Sequence, residues 1–232
     1  VGGQRTEIVL SMDWTEFDAD DHSTLVISLQ TNHGRSTPLL WKPPRNSLLK
    51  GQSNAHEKEL LTKLKQTLPE GIFVTVVADR GFGYMELFER LEQELGFAYL
   101  IRFKGNVLVG YPGVEQVPAR DWLTPTGRTR TLKAVELTGQ RQPVERVYCC
   151  HKSGMKDAWF LASNRTDLSA AKALQLYGQR WGIETSFRDI KDYKFGMGMG
   201  DVHISNPVRR DRLFLFSALA IVLLTLLGKA GD

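Results

Sequence analysis

IFVTVVAD, residues 72–79, is a continuous apolar, β-branched run that stops at a carboxylate. A run of this kind reads as a central strand covered on both faces. Arg80-Gly81 breaks it just after Asp79. Upstream, residues 55–68 (AHEKELLTKLKQTL) carry Leu60, Leu61, Leu64 and Leu68 at helical spacing, and Pro69 closes the helix. Further upstream, residues 7–14 (EIVLSMDW), 23–30 (STLVISLQ) and 37–41 (TPLLW) read as strands. Asn32-His33-Gly34 is turn chemistry, so an antiparallel meander is expected. Downstream, residues 84–95 read as a helix ended by Gly96, and residues 97–103 as a strand. The order predicts an α/β fold: a mixed sheet flanked by helices.

Residues 102–156 differ in texture, being rich in Gly, Pro, Thr and Arg. Short strand patterns at 131–137, 144–150 and 158–162 predict a β insertion over 102–162. It would divide the core into a first part, 1–101, and a second part, 163–232. The net charge of the 232 residues is only +4. Residues 102–156 hold ten basic and four acidic side chains, a net +6 that leaves −2 for the rest. With Tyr111, Trp122 and Tyr148 interleaved, this suits phosphate contact with stacking. A solvated β surface is the plainer alternative.

The adjacent Cys149 and Cys150 form neither a disulfide framework nor zinc-ligand spacing, so a reducing compartment is the default. The sequence opens on Val1 rather than Met, and residues upstream of it are expected. Residues 213–227 (LFLFSALAIVLLTLL) are 15 nearly uniformly apolar positions, against the roughly 20 a bilayer needs. A buried core helix is expected there, starting at Asn206-Pro207 and stopping at Gly228; a membrane or partner-facing helix is the alternative.

Three carboxylates stand out by position. Asp13 lies in an otherwise apolar strand, and Asp79 sits at the carboxyl end of another, where ligand groups of open sheets gather. Each alone also fits a salt bridge or a turn cap. The third is Glu184, on a helix expected to run from Asp167 to about Lys191. At about 100° per residue, Tyr177, Arg180, Glu184, Arg188 and Lys191 share one polar stripe. Leu176, Ile183, Phe187 and Ile190 form the adjoining apolar stripe that docks the helix. Cations flanking one acid suit a site that holds both a metal and phosphates.

Tyr177-x2-Arg180-x3-Glu184-x6-Lys191 matches the Tyr-Arg-Glu-Lys signature of insertion-sequence-four-type DDE transposases, and the chain resembles that family. Asp13 in SMDWTEF and Asp79 in VVADRGFG look like its first and second catalytic Asp. The long gap from Asp79 to Glu184 fits members with a β insertion before the Glu helix. The resemblance covers residues 7–227. It implies an RNase H-like fold with Asp13, Asp79 and Glu184 as catalytic residues and ligands of two Mg²⁺ ions, Mn²⁺ substituting. Three carboxylates suit that task because two ions clamp the attacking and leaving oxygens of an in-line displacement, and Mg²⁺ takes hard oxygen ligands. The resemblance further implies cut-and-paste transposition through a DNA hairpin. Its partners are double-stranded DNA, as transposon ends and target, and a second copy in a dimer assembled on that DNA. The resemblance also implies that no membrane is involved and that the location is cytoplasmic and nucleoid-associated.

Arg180, Arg188 and Lys191 are expected to hold phosphates, with Tyr177 beside them. In hairpin-forming relatives an aromatic side chain stabilises a flipped base; Trp159 in KDAWFLASN looks like that position, a core Trp being the alternative. Two rivals use the same residues: an RNase H-like nuclease without strand transfer, and an inactive DNA-binding remnant. The intact acidic triad weighs against the second. A glycosidase with paired carboxylates leaves the basic stretch unexplained.

Overall fold

The computed structural model describes residues 6–231. These form two compact units, one built from residues up to 9 and 73–178, the other from 10–72 and 179 onward. Strand β1 (Glu7–Phe17) carries the chain from the first unit into the second.

In the second unit, β1 pairs antiparallel with β2 (His22–Gln30), and β2 with β3 (Ser36–Lys42). This is the expected meander. Helix α1 (Ser53–Thr67) follows, burying Leu60, Leu61 and Leu64, as the Leu spacing requires.

The first unit holds β4 (Phe73–Ala78) and β5 (Ala98–Arg102), which pair in parallel. A parallel pair needs a crossover. It is supplied by α2 (Met85–Glu89), which runs into a single π-turn at Arg90–Glu94 rather than the uniform helix expected. The basic stretch folds as β6 (Leu108–Gly110), β7 (Val117–Pro118), β8 (Arg130–Leu137), β9 (Gln142–Cys150) and β10 (Trp159–Ser163). These strands do not form a sheet of their own. Leu161 of β10 lies opposite Arg102 of β5, so the order continues β4-β5-β10-β9-β8-β6-β7.

The expected helix from Asp167 to Lys191 is two helices, α3 (Ala170–Gln179) and α4 (Trp181–Lys191). At the junction the Ile183 amide bonds the Arg180 carbonyl three residues back, tightening the turn. The break divides the apolar stripe. Leu176 packs with Val77, Leu100, Tyr148, Leu161 and Tyr177 in the core of the first unit. Ile183, Phe187 and Ile190 pack with Phe17, Val26, Met199 and Phe214 in the core of the second.

The apolar C-terminal segment is α5 (Pro207–Gly231). Asn206 Oδ1 accepts from the Val208 amide at 2.9 Å, with Pro207 at the first helical position, as expected. Gly228 does not stop the helix. The expected burial holds only for its first half, where Arg210, Phe214, Ser217 and Ala218 are covered. Leu215, Phe216, Leu219, Val222, Leu223, Leu224, Leu226 and Leu227 are exposed. Pro207–Gly228 is long and apolar enough to cross a membrane by length and composition alone.

Candidate active site

Asp13 stands in the middle of β1, opposite Val26 of β2, with buried Met12 before it and half-buried Trp14 after. A carboxylate in that position needs partners to offset its desolvation. Its Oδ1 accepts from the Trp14 amide at 2.9 Å. Its Oδ2 accepts from Arg180 Nη1 at 2.9 Å. The same guanidinium donates through Nη2 to Glu184 Oε1, one turn along α4. Arg180 thus bridges two acids, one of them 167 residues from it in sequence. Its side chain is only 6% exposed, against 18% for Asp13 and 38% for Glu184. The planar fork of Arg suits this double engagement, which Lys could not reproduce.

The position of Glu184 follows from the way α4 is fastened to β3. The Ser36 amide donates to Ser186 Oγ at 3.0 Å, and that hydroxyl donates to the Ser36 carbonyl at 3.0 Å. Gly182 faces the backbone of Arg35; a Cβ there would meet the Arg35 carbonyl carbon at 3.1 Å, tighter than normal packing. Arg35 Nε pairs with Asp189 at 2.5 Å. Small residues at 182 and 186 therefore let helix and strand approach closely, and Glu184 is held beside Arg180. Behind Asp13, the Trp14 indole donates to Glu57 Oε1 of α1 at 3.0 Å. Glu57 is 4% exposed. Its spacing from Leu60, Leu61 and Leu64 puts it on the same face of α1, although a lone carboxylate there reads as solvated.

The rest of the polar stripe is distributed unevenly. Lys191 Nζ donates to the Glu16 carbonyl at 2.5 Å and lies 4.8 Å from the Phe17 ring. Burial lowers its pKa, with Arg210 adding to the effect while Glu16 and Asp18 oppose it. Arg188 is exposed. Next to this group lies a feature the sequence reading missed. Arg210 of α5 is completely buried, pairs with Asp20, donates to the Met199 carbonyl at 3.2 Å and lies 3.9 Å from the Phe17 ring. Burial pushes the Asp20 carboxyl up, but the Ile204 amide, Arg210 and His203 outweigh it and the pKa is lowered. The signal was present as Arg209-Arg210-Asp211-Arg212 directly before the apolar run.

In the first unit, Asp79 caps the turn after β4: its Oδ1 accepts from the Gly81 amide at 2.7 Å. Trp159 opens β10 opposite Cys150 and is half-buried. Its ring meets that of Tyr177 edge-on, centroids 4.7 Å apart. Tyr177 is 1% exposed, so its ring braces Trp159. Among the described residues no group of three or more His, Cys, Asp or Glu side chains stands arranged to hold a metal ion. The donor chemistry of Asp13 and Glu184 nonetheless fits a hard divalent cation, since a positive charge already lies between their oxygens.

The family model described as transposase DDE domain matches residues 5–223. Comparison with curated proteins finds no match. Among solved structures, the chain is similar to Marinitoga piezophila Argonaute in complex with 5′ OH guide RNA, at 10% identity and a TM-score of 0.35. The alignment covers 88% of this chain and 32% of that one. The same Argonaute with guide RNA and target DNA aligns at 10% identity and a TM-score of 0.31, with the same coverage. The chain thus spans about a third of the length of these proteins.

Proposed function

The chain belongs to the transposase DDE-domain family, and on that premise we propose that it is the catalytic domain of an insertion-sequence-four-type transposase with an RNase H-like core. The family implies a metal-dependent enzyme acting on DNA. The observation that carries the finer reading is the Arg180 guanidinium clasped between Asp13 and Glu184. Two acids from distant segments are brought to one point and neutralised by a cation, which is costly to build unless the acids are needed there.

Asp13, Asp79 and Glu184 would hold two Mg²⁺ ions, or Mn²⁺, which when bound supply charge stabilisation to the attacking and leaving oxygens of a phosphodiester. The chain's own residues do the rest. Arg180 holds both acids at one spacing before loading, and its fork matches a phosphate once it is released. Lys191 and Arg188 contact phosphates further along the strand. Trp159, braced by Tyr177, offers its indole to a flipped base. Water attack on phosphorus expels the 3′ oxygen as a hydroxyl. That hydroxyl attacks the opposite strand, expelling the flanking strand's 3′ hydroxyl and closing a hairpin. A second water opens the hairpin and frees the 3′ hydroxyl again, which then attacks a target phosphodiester and expels the target's 3′ hydroxyl. The substrate is double-stranded DNA, engaged by a dimer assembled on it, and the setting is the cytoplasm at the nucleoid.

The test is cleavage of a plasmid carrying the element's own ends, in Mg²⁺ or Mn²⁺. Asp13→Asn, Asp79→Asn and Glu184→Gln should each abolish nicking while duplex binding by gel shift persists. Retained metal-dependent nicking in any one of them overturns the assignment of that residue.

A further inference from the structure

Strands β8 and β9 alternate their side chains between two faces. Their register places Arg130 and Leu132 with Cys149 and Val147 on one face, and Thr131 and Lys133 with Tyr148 and Arg146 on the other. Tyr148 belongs to the core that packs against α3, and its hydroxyl donates to the Leu168 carbonyl at 2.8 Å. Trp159 packs on Tyr177 of that same helix. The Arg130 face is therefore the one turned away from α3 and Trp159.

That outer face carries its own aromatic and cationic group. The Trp122 indole is fixed by donation to the Val109 carbonyl at 3.2 Å. The Tyr111 ring meets it edge-on at 5.9 Å, and the Arg130 guanidinium lies 5.9 Å from its centroid. Tyr111 is 39% exposed, and Arg130 is exposed. The turn leading into β8 is held by Thr124 Oγ1, which donates to the Arg128 carbonyl at 2.6 Å, and Arg128, two positions before Arg130 in sequence, is exposed. At Gly127, φ is +70°, and a Cβ would meet the His151 carbonyl oxygen at 3.0 Å, so the turn fits closely against its neighbour. A fixed indole, an open phenol and unshielded arginines in a stretch of net charge +6 complement a base and its phosphates.

Resting on the DNA-acting reading above, we propose that Tyr111, Trp122 and Arg130 form a second DNA contact on the outer face of the basic strands, distinct from the Trp159 side. A base stacks on Tyr111 while Arg130 and Arg128 hold the adjoining phosphates. The two faces of one sheet then engage two different stretches of DNA, as a reaction joining ends to a target requires.

The test uses the full chain and fluorescein-labelled 20-mers, single-stranded and duplex, read by anisotropy across a salt series. Tyr111→Ala should weaken single-strand binding about thirtyfold, the middle of the range for loss of one stacked base, and Tyr111→Phe should restore it. Arg130→Gln should lower the salt slope by about 0.7–1. Ultraviolet crosslinking to 5-iodouracil-substituted DNA should label the Tyr111 peptide and continue to do so in Trp159→Ala. Unchanged affinity and slope in Tyr111→Ala and Arg130→Gln, with unchanged melting temperatures, overturns the second contact. Failure of the unsubstituted chain to bind either DNA overturns the transposase reading itself.

Discussion

Replacing Arg180 by Gln removes the charge that Asp13 and Glu184 share while keeping most of the side-chain volume. Asp13 is the more deeply placed acid, 18% exposed, and still accepts from the Trp14 amide. Removing one partner of a fully buried pair costs about 3–5 kcal/mol. Glu184, at 38% exposed, is screened by water, and its half of the clasp is worth about 0–1 kcal/mol. Discounting Asp13 for its partial exposure gives a destabilisation of about 2–4 kcal/mol. In a chain of this size that is a fall of about 5–12 °C in melting temperature, read by circular dichroism without divalent metal. Asp13→Asn in the Arg180→Gln background should recover at least half of the loss, because the carboxylate that lost the Arg180 charge is gone. Added Mg²⁺ should raise the melting temperature of Arg180→Gln more than that of the unsubstituted chain, because a competing cation has left the acids. A loss under about 0.5 kcal/mol, the level of an ordinary surface substitution, would refute the bridging role. So would a double variant whose losses simply add.

Asp20→Asn leaves Arg210 buried without its counter-charge and should cost about 3–5 kcal/mol, visible as early melting. Leu223→Lys and Leu227→Lys on the exposed face of α5 should each change stability by less than about 0.5 kcal/mol while reducing aggregation in light scattering. Burial depresses the pKa of His22, with Arg210 and Arg45 adding to the effect and Asp20 and Asp21 opposing it. Burial and Lys42 depress that of His56, with Glu59 opposing. A depressed folded-state value means the unfolded chain takes the proton first. Both contributions are therefore intact above about pH 6.5 and are lost as the pH falls below it toward the folded-state values. Denaturant titrations at pH 7.5 and 5.5 should show that loss, and it should shrink in His22→Asn.

The elements whose patterns are local were legible in the sequence. The β-branched run ending at Asp79, the Leu spacing of α1 and the Asn-His-Gly turn of the meander each fold as their own residues dictate. The Tyr-Arg-Glu-Lys spacing located Arg180 beside Glu184, since residues four apart on a helix meet. What escaped depends on partners distant in sequence. A helical wheel carries no sign that the hydrogen-bond ladder tightens at Arg180, sending Leu176 and Ile183 to different cores. The uniform apolarity of residues 213–227 argued for burial, but apolar composition records preference for a cover, not its presence. Asp79 illustrates the converse: its turn-capping bond to Gly81 is what the plainer reading anticipated, and it coexists with the catalytic expectation.

The chain leaves the second unit after Ile72 and re-enters it at Gln179. On a ribosome releasing residues in order, the strands of the first unit can close while the meander still awaits α4 and α5. Arg180 and Glu184 emerge long after Asp13, so the loop that joins them is among the last to pay its closure entropy. A nascent or prematurely ended chain that stops short of α4 holds both aspartates but lacks the clasp. The order of synthesis thus brings Arg180 and Glu184 to Asp13 only after the strands of the first unit have been made.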